Sequence, residues 1–248
     1  MLENVSLNYV TRVHGDLDAI EPSAWDALLA KQEAPTPFMR HAYLCAMEES
    51  ASACPETGWT PQVICLYRPN ASPETGLAAA AVLYVKPHSY GEYVFDWAWA
   101  DAYHRHGLDY YPKAVGAVPF TPVPGTRLLA DSPESKAALI QAMVQLAQDA
   151  KWSSVHVLFL SGEDLQATAA AGWLERHTVQ FHWHNAHYAD FDHFLASLNQ
   201  EKRKKIRQER RKVHEAGVTF KTLRGQEIQT QDWDFFYKCY AQTYFEHG

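Results

Sequence analysis

Four groups of residues carry side chains suited to chemistry. The first is the loop Thr121-Pro122-Val123-Pro124-Gly125-Thr126-Arg127, which leads to a helix opened by Ser132-Pro133. A loop before a helix N-terminus offers free amides and a positive dipole end to an anion. Arg127 can add a two-pronged phosphate contact, so Gly125 and Arg127 are candidate cofactor-binding residues. The loop has one glycine and its prolines lack amides, so it matches neither a Walker loop nor a dinucleotide fingerprint. The second group is Lys202-Arg203-Lys204-Lys205-Ile206-Arg207 with Arg210, Arg211 and Lys212. At helical spacing Arg203, Arg207 and Arg210 share a face that suits a phosphate, a nucleotide or an RNA backbone. Arg203 and Arg207 are the anion-contact candidates. The third is Gln180-Phe181-His182-Trp183-His184. On a strand His182 and His184 point the same way, but no cysteine or acid stands at ligand spacing, so no metal is expected. A neutral His182 lining a cleft suits proton transfer. The fourth is the polar set Asp96, Asp101, Tyr103, His104, Tyr110, Tyr111 and Lys113 within an aromatic stretch. Asp96 interrupts an apolar run, and a buried carboxylate there needs a partner or a raised pKa. Glu48 and Glu49 end a helix that could face the same cleft. His182, Asp96 and Glu48 are the candidates for proton handling, with no choice among them.

The elements that must position these residues follow from periodicity. Strands are expected at Asn8–Val13, Trp59–Tyr67, Leu77–Lys86, Tyr93–Trp99, Lys113–Phe120, Val155–Leu160, Thr178–His184 and Val218–Thr222. Tyr93, Phe95, Trp97 and Trp99 alternate with smaller or polar residues, as on an aromatic-faced strand. Helices are expected at Pro22–Ala30, from Thr36-Pro37 to Ser50, from Ser132 over Leu139, Met143 and Ala147, at Glu163–Ala171, at Phe191–Ala216 and at Trp233–Phe245. The middle of the chain alternates strand and helix, which predicts an α/β fold with part of its sheet parallel. Two Pro-Glu-Thr-Gly copies, at 55–58 and 73–76, read as turn chemistry. Neither is a wall-sorting signal, because no Leu precedes either copy and no anchor follows.

The sequence has 248 residues, 47% hydrophobic and 21% charged, with 8 Trp and 13 Tyr. That excludes disordered, collagenous and coiled-coil chains. The longest nearly apolar run, Gly76–Val85, is about half of a membrane span. No basic region followed by an apolar stretch opens the chain, so no signal peptide is expected. Cys45, Cys54, Cys65 and Cys239 form no CxxC pair, which favours a reducing, cytoplasmic setting. Net charge is −7, yet residues 201–215 carry +5 and the remainder −12. An acidic body with one basic helix argues for one local anion site, not general nucleic-acid coating.

Several stretches are familiar in order: Pro37-Phe38-Met39-Arg40-His41-Ala42-Tyr43, Glu48-Glu49-Ser50, Pro55-Glu56-Thr57-Gly58-Trp59-Thr60-Pro61, and Asp96-Trp97-Ala98-Trp99-Ala100-Asp101-Ala102-Tyr103. Tyr110-Tyr111-Pro112-Lys113, Val118-Pro119-Phe120-Thr121-Pro122-Val123, Gln180-Phe181-His182-Trp183 and the basic helix complete the set. Together they resemble the bacterial FemAB-like predicted N-acyltransferases of the GNAT superfamily, over about residues 36–248. The resemblance implies a mixed sheet flanked by helices and two GNAT-like domains in tandem. The first would be 1–188, and 189–248 would supply the basic helix and the start of a second, incomplete one. It implies transfer of an acyl or aminoacyl group to an amine, the acceptor being a small molecule or peptide such as a peptidoglycan-related precursor. The donor would be an acyl-CoA or an aminoacyl-tRNA, with possible tRNA contact through the basic helix. The loop at 121–127 lacks the Gly-rich pyrophosphate pattern of GNAT enzymes. A non-catalytic GNAT-fold module binding a nucleotide or precursor is the alternative, and an RNA-binding protein a third.

Overall fold

The computed structural model describes residues 4–6 and 9–247. It divides into two compact units, Met1–Val179 and Gln180–Gly248. The first contains strands β1 (Asn4–Ser6), β2 (Tyr9–His14), β3 (Thr60–Tyr67), β4 (Leu77–Lys86), β5 (Lys113–Gly116), β6 (Leu129–Ala130) and β7 (Val155–Val157). Its helices are α1 (Pro22–Leu29), α2 (His41–Glu49), the short α3 (Pro73–Gly76), α4 (Trp97–Arg105), α5 (Pro133–Asp149) and α6 (Gly162–Ala170). The second unit contains α7 (Phe191–Ala196), α8 (Gln200–Glu215) and α9 (Thr230–His247).

The strands form one sheet in the order β1-β2-β3-β4-β5-β7, with β6 also paired to β4. Its ladders are antiparallel except β5–β7, which is parallel. Strand β4 reads as an unbroken apolar run because helices cover both of its faces. Alternation sorts its residues: Ala80, Val82 and Tyr84 join Trp25, Leu28 and Leu44 on one side. Ala79, Ala81 and Leu83 join Leu139, Ile140 and Met143 of α5 on the other. The expectation of a helix-flanked mixed α/β sheet therefore holds.

Several expected elements differ. Tyr93–Trp99 is not a strand, because Glu92 and Asp96, four apart, both turn inward and α4 begins at Trp97. Tyr93 has φ 57°, which breaks an extended run. The helix expected from Thr36 starts as a single 3-10 turn, Pro37–Met39. Arg40 is extended, and the His41 amide donates to Asp26 Oδ1 at 3.0 Å, so α2 begins there. The single helix expected over 191–216 is two, because Asn199 caps a new one by accepting from the Lys202 amide at 2.9 Å. Strands at 178–184 and 218–222 do not form among the described residues, where neither segment pairs with a ladder. Strands β5 and β7 are shorter than expected because the chain bulges away after Gly116 and returns only at Gly125, which bridges Leu160.

Candidate active site

The ladder between β4 and β5 sets Lys86 directly opposite Lys113. Both side chains are fully buried. Like charges across a ladder repel, so each lysine needs its own compensation. Lys113 Nζ donates to Glu92 Oε2 at 2.9 Å, Asp96 Oδ2 at 2.5 Å and Ser89 Oγ at 2.8 Å. Tyr110 donates its hydroxyl to the same Asp96 oxygen at 2.7 Å. Lys86 Nζ donates to the Tyr90 carbonyl at 3.0 Å and lies 3.5 Å above the Trp59 ring, a cation–π contact.

These contacts set the titration of the cluster. Burial pushes the Glu92 carboxyl up, against the pull of Lys113. Burial also acts on Asp96, but hydrogen bonds from Lys113 and Tyr110 outweigh it and hold that carboxyl below its ordinary value. Burial lowers Lys86 to about 8, with Lys113 adding to the effect. His156 on β7 is lowered to about 4, first by burial and then by Lys113; its Nε2 is 2.8 Å from Ser154 Oγ.

A second polar group lies on the α2 side of the sheet. Glu48 accepts the Leu17 amide at 3.2 Å on Oε2, while its other oxygen is buried without a hydrogen-bond partner. Burial raises its pKa. Tyr84 Oη and Trp59 Nε1 are also buried without partners. The Trp59 and Tyr84 rings meet edge to face at 5.2 Å, and Tyr84 lies within electrostatic reach of Glu48 and Tyr43. Phe120 packs on Trp59 at 5.4 Å, and Tyr43 Oη is 3.4 Å from Thr121 Oγ1. Buried polar atoms without partners are uncommon in native structures. Three of them here come from α2, β4 and the turn before β3, and the Trp59 ring among them packs against Phe120 of the 117–124 loop.

Of the sequence candidates, Asp96 and Lys113 are thus joined in one network, and Glu48 belongs to the neighbouring group. Gly125 donates its amide to Phe159 O at 3.0 Å and accepts from Ser161 N at 3.0 Å. A Cβ there would meet Thr36 Cγ2 at 2.7 Å, so its backbone is held by packing. The Arg127 guanidinium is buried against the Val123 and Thr126 carbonyls, and burial lowers it to about 10. The N-terminus of α5 is capped from within, Ser132 Oγ accepting the Ser135 amide at 3.1 Å. Asp131 sits at that end, paired with Arg68 at 2.5 Å. The Ser132 cap and the Asp131–Arg68 pair occupy this end of the helix. In the second unit His182 is exposed, with Nε2 3.3 Å from Gln180 Oε1. Arg203 donates to Leu198 O at 3.3 Å and Arg207 reaches Asp192 at 3.5 Å. Lys86, Ser89, Glu92 and Tyr84 were not singled out by the sequence. The one signal was Lys86 and Tyr84 sharing a face at the end of an apolar strand.

A helix-flanked mixed sheet does not by itself fix a function. The family model for FemAB-like proteins, described as peptidoglycan biosynthesis/recognition, matches residues 16–248. The chain belongs to that family. No curated protein and no solved structure matches it. Among the described residues no helix is long and apolar enough to cross a membrane, and no group of His, Cys, Asp or Glu could hold a metal ion.

Proposed function

We propose that the protein transfers an acyl or aminoacyl group to the amine of a peptidoglycan-related precursor, with Glu48 as the base. The observation that carries this reading is the Glu48 carboxylate itself. One oxygen is anchored by a backbone amide, the other is buried with no partner, and burial raises its pKa. A raised carboxylate takes a proton more readily near neutral pH, which is what an attacking ammonium must lose. As the amine adds to the acyl carbonyl, the leaving oxygen or sulfur departs with the donor. The family resemblance supports a tandem GNAT-like arrangement in which 189–248 opens the second domain, and the unpaired cysteines suit a cytoplasmic setting.

The test is transfer of a labelled aminoacyl group from aminoacyl-tRNA to a UDP-linked muropeptide bearing a free amine. Glu48→Gln is expected to lower turnover by about 10²–10⁴-fold while precursor binding by calorimetry is retained. Undiminished turnover in Glu48→Gln would remove the base assignment. Precursor binding without turnover in the wild type would instead favour a recognition module.

A further inference from the structure

Helix α2 grips the turn between β2 and α1 at two points. His41, Cys45 and Glu48 stand at i, i+4 and i+7, on one face of the helix. Glu48 accepts the Leu17 amide at 3.2 Å. His41 takes the other side of the same residue: its Nε2 lies 3.0 Å from the Leu17 carbonyl oxygen and 3.1 Å from that of Ile20. The turn is closed by the Ile20 amide, which donates to Leu17 O at 2.9 Å. Leu17, Ile20, His41 and Cys45 are all buried.

The chemistry of these partners fixes the ring. Carbonyl oxygens only accept, so Nε2 carries the hydrogen and donates it to Leu17 O and Ile20 O. Nδ1 of the neutral ring is then an acceptor. The Cys45 thiol, 3.4 Å away, is its donor, and burial pushes that thiol up to about 12, so it keeps its hydrogen. The His41 backbone is held as well, its amide donating to Asp26 Oδ1 at 3.0 Å. We infer that His41 is a positioning residue for Glu48: by holding the Leu17 and Ile20 carbonyls it aims the Leu17 amide at the carboxylate. What this does for catalysis rests on the base role proposed for Glu48; the positioning itself does not. Burial raises the Glu48 carboxyl, and the Leu17 hydrogen bond opposes it by favouring the ionised form. Asp16 and Asp18 of the same loop push it further up, and a charge on the His41 ring pulls it down. Cys45 and Tyr84 are the other titratable groups within its electrostatic reach. Losing the aimed amide therefore moves Glu48 upward.

The experiment is an NMR titration of the Glu48 carboxyl in the full chain, its signal assigned by its loss in Glu48→Gln. His41→Leu removes the ring contacts and is expected to raise the Glu48 midpoint by about half a pH unit or more. His41→Gln sets an uncharged amide donor at similar reach and should keep the wild-type midpoint. Ring-nitrogen shifts of the wild type should show Nε2 protonated and Nδ1 bare at neutral pH, a measurement that stands even where His41→Leu does not fold. The acid limb of kcat/KM for aminoacyl transfer should move up with the midpoint in His41→Leu and return in His41→Gln. A midpoint unmoved in His41→Leu, an equal rise in both variants, which would assign the effect to ring charge, or a hydrogen on Nδ1 would each overturn the inference. The expected midpoints together with undiminished turnover in Glu48→Gln would support the positioning and remove the base assignment alone.

Discussion

At the residue scale the molecule is governed by two lysines that the β4–β5 ladder forces together. Lys113 is compensated by carboxylates, and Lys86 by a carbonyl and an indole face. The second arrangement is the weaker, because a π face and one acceptor replace hydration only in part. Its consequence is a stability that depends on pH. Lys86 falls from 10.5 in the unfolded chain to about 8 in the fold. Between those values the unfolded chain holds a proton that the folded one has released, so stability rises with pH across that window. Below about pH 8 both states are protonated and the burial cost is carried in full. The gain from pH 8 to 10.5 is up to about 3 kcal/mol. Urea midpoints for wild type and Lys86→Met at both ends of the window measure it: the wild type should gain on the variant as pH rises. Parallel shifts of the two proteins would show that Lys86 does not titrate there. Asp96 and Lys113 were legible in the sequence because a charge interrupting an apolar run must find a partner. Glu92 and Lys86 were not, since each ends a segment where a solvated charge is the ordinary reading. Only the ladder register shows that they are buried.

At the element scale the sequence showed best where one periodicity ruled. Strands β3 and β4 appear within a few residues of expectation because both of their faces are covered and the apolar run is unbroken, and helices α1, α5 and α6 because each buries one apolar stripe. The segment from His88 to Trp99 misled because two patterns overlap. Its aromatics alternate as on a strand, yet Phe95 is 82% exposed, while the buried residues are Ser89 and, at i, i+4, Glu92 and Asp96. The acids, held by Lys113, decide the path, and the rings are turned outward. Gly91 makes this path possible: it has φ +80°, and a Cβ would lie 2.6 Å from Phe120 Cε1 and 3.1 Å from Trp59. Gly91→Ala is therefore expected to destabilise the protein by about 1–3 kcal/mol through strain and clash together. Comparing it with Phe120→Ala and the double variant separates the two. Removing the ring should relieve the clash but leave the cost of a positive φ on a residue with a Cβ. A double variant whose loss equals the sum of the singles would mean that the ring and the added methyl do not meet. The helix break before Asn199 was missed for a different reason. The apolar stripe continues across it, and only the capping side chain marks the restart.

At the scale of the whole molecule, burial is distributed unequally between the two units. Both apolar clusters are made of first-unit residues, around β3 and β4. Among the described residues of the second unit, Leu195 is the buried apolar side chain. Trp233, Phe235, Tyr240 and Phe245 of α9 are exposed. Helices are held mainly by packing, and isolated ones of α8's length are marginal in water. The amides of β3 and β4 should therefore exchange with solvent only through global opening, because their hydrogen bonds lie beneath helices on both faces. Those of α8 should exchange through local opening, whose free energy is lower by whatever packing the helix lacks. A difference of about 3 kcal/mol corresponds to roughly a hundredfold in exchange rate. Hydrogen–deuterium exchange read peptide by peptide should show at least that gap, with protection in α8 lost at denaturant concentrations that leave β4 untouched. Equal protection in the two would mean that α8 opens only when the sheet does, and that its stability comes from contacts stronger than its exposed side chains provide.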